Sequence, residues 1–225
     1  MEHTVRAYDE ELDAITAELA RMGGLAEAEV ADSISAIANR DVALASSVIV
    51  RDARLDGLEM DIERKAVRLI ALRQPVADDL RRTVAALKIS MNLERCGDLA
   101  KNIAKRALVI AETAPLTPVT RSIERMGELV AARLKDVLDA FAARDIARAR
   151  QVWQRDQEVD EHYDSIFREL LTYMMSDPRT IASSAHLLFV AKNLERIGDH
   201  ATNIAEDVIY FVAGRDVRHP ALDRR

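Results

Sequence analysis

The sequence predicts an all-α protein: two tandem three-helix bundles, six long antiparallel helices related by an internal duplication. Three observations predict it. Apolar residues recur every three or four positions through most of the chain. Glycine, proline and aromatic residues are scarce, at seven, five and 4% of 225 residues, which favours long helices rich in Ala, Leu, Arg and Glu over a β-sandwich. One segment also occurs twice with little change. Apolar residues at 49% and charged residues at 31% supply both a core and a solvated surface.

The first helix carries Leu12, Ile15, Leu19, Met22, Ala26, Val30, Ile34 and Ile37 on one stripe. Gly23-Gly24 inside it predicts a kink, at about 1 kcal/mol per glycine relative to alanine. Asn39-Arg40-Asp41 forms a turn with Asp41 as the N-cap of the second helix. That helix carries Leu44, Val48, Leu55, Leu58, Ile62, Ala66 and Leu69 and stops at Gln74-Pro75. Pro75 is expected in the first turn of the third helix, where its missing N–H does no harm, and that helix reaches about Ile110. The segment from Glu112 to Pro118 holds two prolines and reads as the link between domains 1–113 and 119–214. A fourth helix follows through Val119, Ile123, Met126, Val130, Leu134, Val137 and Phe141. After a turn at Arg144-Asp145, a fifth runs through Val152, Val159, Ile166 and Leu170. Asp177-Pro178 repeats the proline break, a sixth helix extends to about Val212 with Gly214 as its cap, and residues 215–225 read as a mobile tail.

The duplication extends to identities. Residues 40–56 match residues 144–160 at eight of seventeen positions, and Asn92 to Ala104 returns as Asn193 to Ala205 with ten of thirteen identical. Helical periodicity preserves apolar character; it does not preserve Glu, Arg, Gly, Asp and Asn. Short connections between the helices predict an up-down-up bundle in each half.

On the third helix Ile89, Leu93, Cys96, Ala100, Ile103 and Ala107 share one arc, and Glu94, Asp98 and Asn102 line the face nearly opposite. The sixth repeats this, with Val190, Leu194, Ile197, Ala201, Ile204 and Val208 inward and Glu195, Asp199 and Asn203 outward. Asp52, Asp56, Glu59 and Glu63 form a line on the second helix; the fifth keeps Asp156 and Asp160, then turns to Tyr163 and Phe167. Carboxylates one helical turn apart repel by a few tenths of a kcal/mol, roughly, and a hard cation converts that repulsion into oxygen coordination. If neighbouring helices lie side by side, Asp52, Asp56, Glu94 and Asp98 converge on one cluster, and Asp156, Asp160, Glu195 and Asp199 on its twin. The plainer alternative is a solvated face neutralised by Arg51, Arg95, Lys101 and Arg196, or a docking surface. Gly97 and Gly198 occupy matching positions and read as sites of tight helix packing.

The single cysteine, Cys96, excludes an intrachain disulfide, suits a reducing cytoplasmic compartment and falls on the core arc. No run of eighteen apolar residues predicts a membrane span, the polar start is not a secretory signal, and a net charge of −6 argues against broad nucleic-acid binding. His162, His186 and His200 lack counterparts in the first half and read as surface residues, His200 standing beside Asp199. No Glu-x-x-His, Walker loop, dinucleotide fingerprint, His-Glu-x-x-His or Gly-x-Ser-x-Gly motif occurs, so no catalytic activity is expected.

Arg73-Gln-Pro-Val-Ala-Asp-Asp-Leu-Arg81, followed by Asn92-Leu-Glu-Arg-Cys-Gly-Asp98 and its repeat Asn193-Leu-Glu-Arg-Ile-Gly-Asp199, resembles the PhoU family of phosphate-uptake regulators from about Tyr8 to Gly214. The resemblance implies two three-helix bundles side by side. It implies that Asp52, Asp56, Glu94, Asp98, Asp156, Asp160, Glu195 and Asp199 hold multinuclear iron or zinc clusters, with magnesium and manganese as alternatives. Tyr163 and Phe167 depart from the acidic pattern, so fewer ions are expected in the second half. It further implies a cytoplasmic adaptor, often homodimeric, between the phosphate ABC transporter's ATPase and its sensor histidine kinase, repressing the phosphate-starvation response. The competing reading is a metal-storage or buffering bundle without signalling partners.

Overall fold

Two turns built from the same dipeptide set the topology of the two halves. Arg40 and Arg144 both adopt the left-handed conformation, with φ of 55° and 52°, and the aspartate after each caps the next helix. Asp41 accepts from the Leu44 amide at 2.9 Å, and Asp145 from Ala147 and Arg148 at 2.9 and 3.1 Å. A chain leaving a helix through one left-handed residue reverses direction, and the carboxylate then satisfies amides that the new helix leaves open. Arg40 adds a tether, donating through Nη2 to the carbonyls of Ala111 and Thr113 in the link between halves. The capping role accounts for the duplicated aspartate.

The computed structural model describes residues 2–114, 116–214 and 217, with side chains from Tyr8 onward. The helices are α1 (Glu2–Asn39), α2 (Val42–Arg73), α3 (Asp78–Ile110), α4 (Thr117–Ala143), α5 (Ile146–Gln154), α6 (Gln157–Ser176) and α7 (Ile181–Ala213), with a 3-10 turn at Pro178–Thr180 before α7. Among the described residues there is no strand. Helices α1, α2 and α3 pack on one another, α4, α5, α6 and α7 form the equivalent group, and α3–α7 and α1–α4 contacts join the halves. Every residue of the predicted apolar arcs on α3 and α7 is buried. Most of the predicted tail, 215–216 and 218–225, lies outside the described residues.

Two local expectations are corrected, at Pro75 and in the fifth helix, and a third gains a reason. Helix α1 continues through Gly23-Gly24 without interruption. A Cβ at Gly23 would stand 2.6 Å from Leu138 Cδ2, so the missing side chain serves the approach of α1 to α4. Pro75 lies outside α3: Gln74 (φ 48°) closes α2 in the left-handed conformation, Ala77 also has positive φ, and α3 starts at Asp78. The fifth predicted helix is two, α5 and α6, broken at Arg155-Asp156. There the Asp156 carbonyl accepts from the Val159 amide at 3.2 Å and from Arg133 Nη1 at 3.5 Å.

Candidate metal-binding carboxylate clusters

Packing of α2 against α3 brings Asp52 and Asp98 onto the one ammonium of Lys101, with one acid deeper than expected. Asp52 sits on the buried side of α2 and is only 3% exposed, so this ridge does not simply face outward. It falls four residues after Val48 and three before Leu55, on the apolar stripe itself. Its counter-charge is Lys101 of α3, whose Nζ donates to Asp52 Oδ2 and, at 2.7 Å, to Asp98 Oδ1. Burial opposes the charge on Lys101, but these two hydrogen bonds outweigh it and raise its pKa; the same bond holds Asp98 below the usual carboxylate range. Arg95 lies 3.4 Å from Glu94 and 3.8 Å from Asp98. Burial, joined by the charge of neighbouring acids, raises both Asp56 and Glu94. The ion-pair alternative therefore describes part of the site: Lys101 and Arg95 neutralise it locally, whereas Arg51 pairs with Asp32.

A further carboxylate, not singled out in the sequence, joins from α1. Glu29 is 0% exposed, and neither of its oxygens has a hydrogen-bond partner. Arg51 Nε, 3.7 Å from Oε1, supplies its ion pair. Burial, then the charge of Asp52, pushes its pKa up to about 7. Its Oε2 approaches α3 at Gly97, where a Cβ would stand 3.4 Å from it and 3.1 Å from Leu55 Cδ2. The missing side chain of Gly97 leaves room for this carboxylate and for α2–α3 packing; Gly198 plays the packing part against Val159. The signal for Glu29 was available, since an acid between Ala26 and Val30 interrupts an otherwise apolar stripe.

The second cluster differs where the first is most unusual. Eleven residues before the Arg-Asp turn, the position that duplicates Glu29 holds Arg133. It too is buried, and burial lowers its pKa. Its Nη1 reaches the Asp156 carbonyl and stands 3.8 Å from Asp156 Oδ1. Lys101 is replaced by Thr202, whose hydroxyl donates to Asp156 Oδ1 at 2.8 Å. Lys192 donates to Glu195 at 2.6 Å and lies 5.1 Å above the Tyr163 ring, the residue in place of Glu59. Burial, then Glu195 and Asp156, pushes Asp199 up to about 6; burial and Asp156 also raise Asp160. His200 does not join this cluster. Its Nδ1 lies 2.9 Å from Asn92 Oδ1 across the α3–α7 seam, and burial lowers its pKa. Cys96 is buried and its thiol is pushed up to about 12, the state of an inert core residue.

Among the described residues, no group of three His, Cys, Asp or Glu side chains is arranged to hold a metal ion as it stands. The chemistry of the donor set nevertheless suits a hard cation: all its donors are carboxylate oxygens. In the first half Glu29, whose oxygens have no hydrogen-bond partner, adds a further carboxyl behind Asp52.

The PhoU domain model matches residues 19–107 and 123–208, one copy in each half. The chain is 65% identical over 224 residues to the phosphate-specific transport system accessory protein PhoU homolog of Caulobacter vibrioides, covering 99% of this chain and 97% of that protein. It is 50% identical to the homolog of Rhizobium meliloti, over 94% of this chain and 90% of that one. Among solved structures, PhoU from Pseudomonas aeruginosa superposes with a TM-score of 0.87 at 39% identity, over 92% of this chain and all of that one. The phosphate transport system regulatory protein PhoU from Streptococcus pneumoniae gives 0.84 at 28% identity, covering 93% and 99%. With a matching domain in each half and this identity across almost its whole length, the chain belongs to the PhoU family.

Proposed function

We propose that this protein regulates phosphate uptake as an accessory component of the phosphate-specific transport system. It acts in the cytoplasm as an adaptor between the ABC transporter's ATPase and its sensor histidine kinase, repressing the phosphate-starvation response when phosphate is plentiful. The observation that carries this reading is 65% identity, over 99% of the chain, to a protein bearing the accessory name. A bundle of long helices without catalytic motifs suits a role in binding. No described helix is long and apolar enough to cross a membrane.

In the same reading Asp52, Asp56, Glu94 and Asp98 hold one cation cluster and Asp156, Asp160, Glu195 and Asp199 the other, of iron or zinc, with magnesium or manganese as alternatives. Such ions, when bound, offset carboxylate repulsion and tie neighbouring helices together. Lys101 performs part of that service in the first half, so cation binding there requires its ammonium to swing toward solvent. In the second half Thr202 takes the place of Lys101, and the competing cations are Lys192 at Glu195 and Arg133 at Asp156. A storage bundle without signalling partners is less well supported, because the relatives this chain matches are named for the phosphate-specific transport system.

A deletion strain assayed for alkaline phosphatase at high phosphate tests the regulatory role: derepression is expected, and unchanged repression refutes it. Recovery of neither kinase nor transporter with the tagged protein from phosphate-replete cells refutes the adaptor. Asp98→Asn with Asp199→Asn is expected to lower the metal content of purified protein with helicity retained; unchanged content refutes the ligand assignment.

A further inference from the structure

The duplication relates α3 to α7, so the seam between them carries two clefts built from equivalent positions. One lies among Lys88, Asn92 and Arg95 of α3 and His200, Asn203 and Asp207 of α7. The other, about 440 Å³, lies among Asn102, Lys105 and Arg106 of α3 and Phe189 and Asn193 of α7. The asparagines are repeat equivalents, Asn92 with Asn193 and Asn102 with Asn203. The charges between them have diverged: Lys105 and Arg106 correspond to Glu206 and Asp207, and Phe189 to Lys88.

The first cleft is internally balanced. Lys88 Nζ stands 3.7 Å from Asp207 Oδ1, Asn92 Nδ2 lies 3.5 Å from Asp207 Oδ2, and Asn92 Oδ1 pairs with His200. The second presents two cations, and no acid lines it. Lys105 is exposed, and among the described residues neither it nor Arg106 meets a carboxylate. Arg106 is held in place without a carboxylate: its guanidinium lies 4.8 Å from the Phe189 ring centroid, and Nη1 lies 3.2 Å from His186 Nδ1. Such contacts orient a guanidinium without neutralising it. Phe189, 54% exposed, and Val109, 41% exposed, form an apolar rim beside these charges. On a chain of net charge −6 this is a local positive site with no acidic partner among the described residues.

We propose that this cleft docks an acidic polypeptide segment of a partner protein. A Glu or Asp side chain of the segment meets Lys105 and Arg106, and a neighbouring apolar side chain covers Phe189 and Val109. Charge complementarity selects the acid, since Arg106 binds a carboxylate with two parallel hydrogen bonds. The open volume and apolar rim favour a polypeptide over a bare oxyanion, which would leave Phe189 and Val109 in water. Arginine and aromatic residues, Phe included, are enriched at protein interfaces, and Arg is enriched among the residues that carry most binding energy. The inference deepens the adaptor reading and rests on it for the kind of partner.

The test titrates a capped synthetic helix-forming peptide of Leu and Glu into the isotopically labelled full-length protein, followed by NMR. Saturable shifts are expected at Lys105, Phe189 and the Arg106 Nε–H, with the Lys88–Asp207 cleft as internal control. Lys105→Glu with Arg106→Glu is expected to weaken binding at least tenfold, on the order of 1.4 kcal/mol, with helicity unchanged. Absence of saturable shifts, or equal binding by the double variant, overturns the proposal. So does inorganic phosphate alone reproducing the same shifts, which would make this a small-oxyanion site. The assay is independent of phosphate signalling, so its failure leaves the regulatory reading standing, and a repressing role can fail with this cleft intact.

Discussion

Replacing Glu29 by Gln separates a carboxylate that serves the fold from one that strains it. Its carboxyl is fully buried, and its pKa rises from 4.5 to about 7 because burial and Asp52 disfavour the charge. A raised value in the folded state means that its contribution to stability is complete below the unfolded value of 4.5 and is lost as pH rises through about 7. A shift of that size at 1.36 kcal/mol per unit is worth about 3 kcal/mol. Glutamine keeps the shape and removes the charge, so Glu29→Gln is expected to match the parent below about pH 4.5 and to exceed it by about 3 kcal/mol near pH 8. For a chain of this size that is roughly 6–12 °C in Tm. Urea unfolding followed by circular dichroism across this range, in chelator, gives both curves. Parallel curves, or a glutamine variant weaker near pH 8, would refute the account of Glu29 as an ionising carboxylate buried against Asp52.

Lys101→Met leaves Asp52 buried without its ammonium, and in chelator the variant is expected to lose about 3 kcal/mol or more, with part restored by millimolar manganese; thermal unfolding with and without the ion is the check, and a loss within about 1 kcal/mol would put Lys101 among ordinary surface pairs. Gly24→Ala meets nothing within 4 Å and should stabilise α1 by about 1 kcal/mol. Gly127→Ala would place a Cβ 2.8 Å from Ile34 and is expected to cost about 1–3 kcal/mol at the α1–α4 seam, as read from urea midpoints. Asp41→Ala and Asp145→Ala each remove a helix cap and should cost about 1 kcal/mol apiece, their losses adding in the double variant because the turns lie in different halves.

Helix positions were readable wherever a single local rule decided them. The apolar arcs of α3 and α7 follow from a period of 3.6, and the Arg-Asp turns from aspartate's preference for a cap. Rules failed where two helices negotiate. Gly23-Gly24 marks a weak point in α1 by local propensity, but that Leu138 of α4 packs against Gly23 depends on a facing helix. Pro75 fits a helix start by its own chemistry, yet the left-handed Gln74 and Ala77 defer α3 by three residues. The α5–α6 break at Arg155-Asp156 has no proline or glycine to announce it; the adjoining carbonyl accepts from the buried Arg133 of a different helix.

The eight duplicated acids were legible because identity at Glu, Asp and Asn positions exceeds what an amphipathic pattern demands. Which of them share a counter-ion was not. Lys101 lies three residues after Asp98 and was a candidate neighbour, but its bond to Asp52 spans two helices.

The sequence by itself determined the helical class, the doubling, the capping residues and the acidic inventory, because each rests on spacing or identity along one segment. Tertiary structure alone decided that Glu29 lies behind Asp52 while Arg133 stands under Asp156, and that Lys105 and Arg106 meet no acid among the described residues. Burial and pairing are properties of what faces a side chain across a helix interface, and such facing groups are brought together only when the bundle closes.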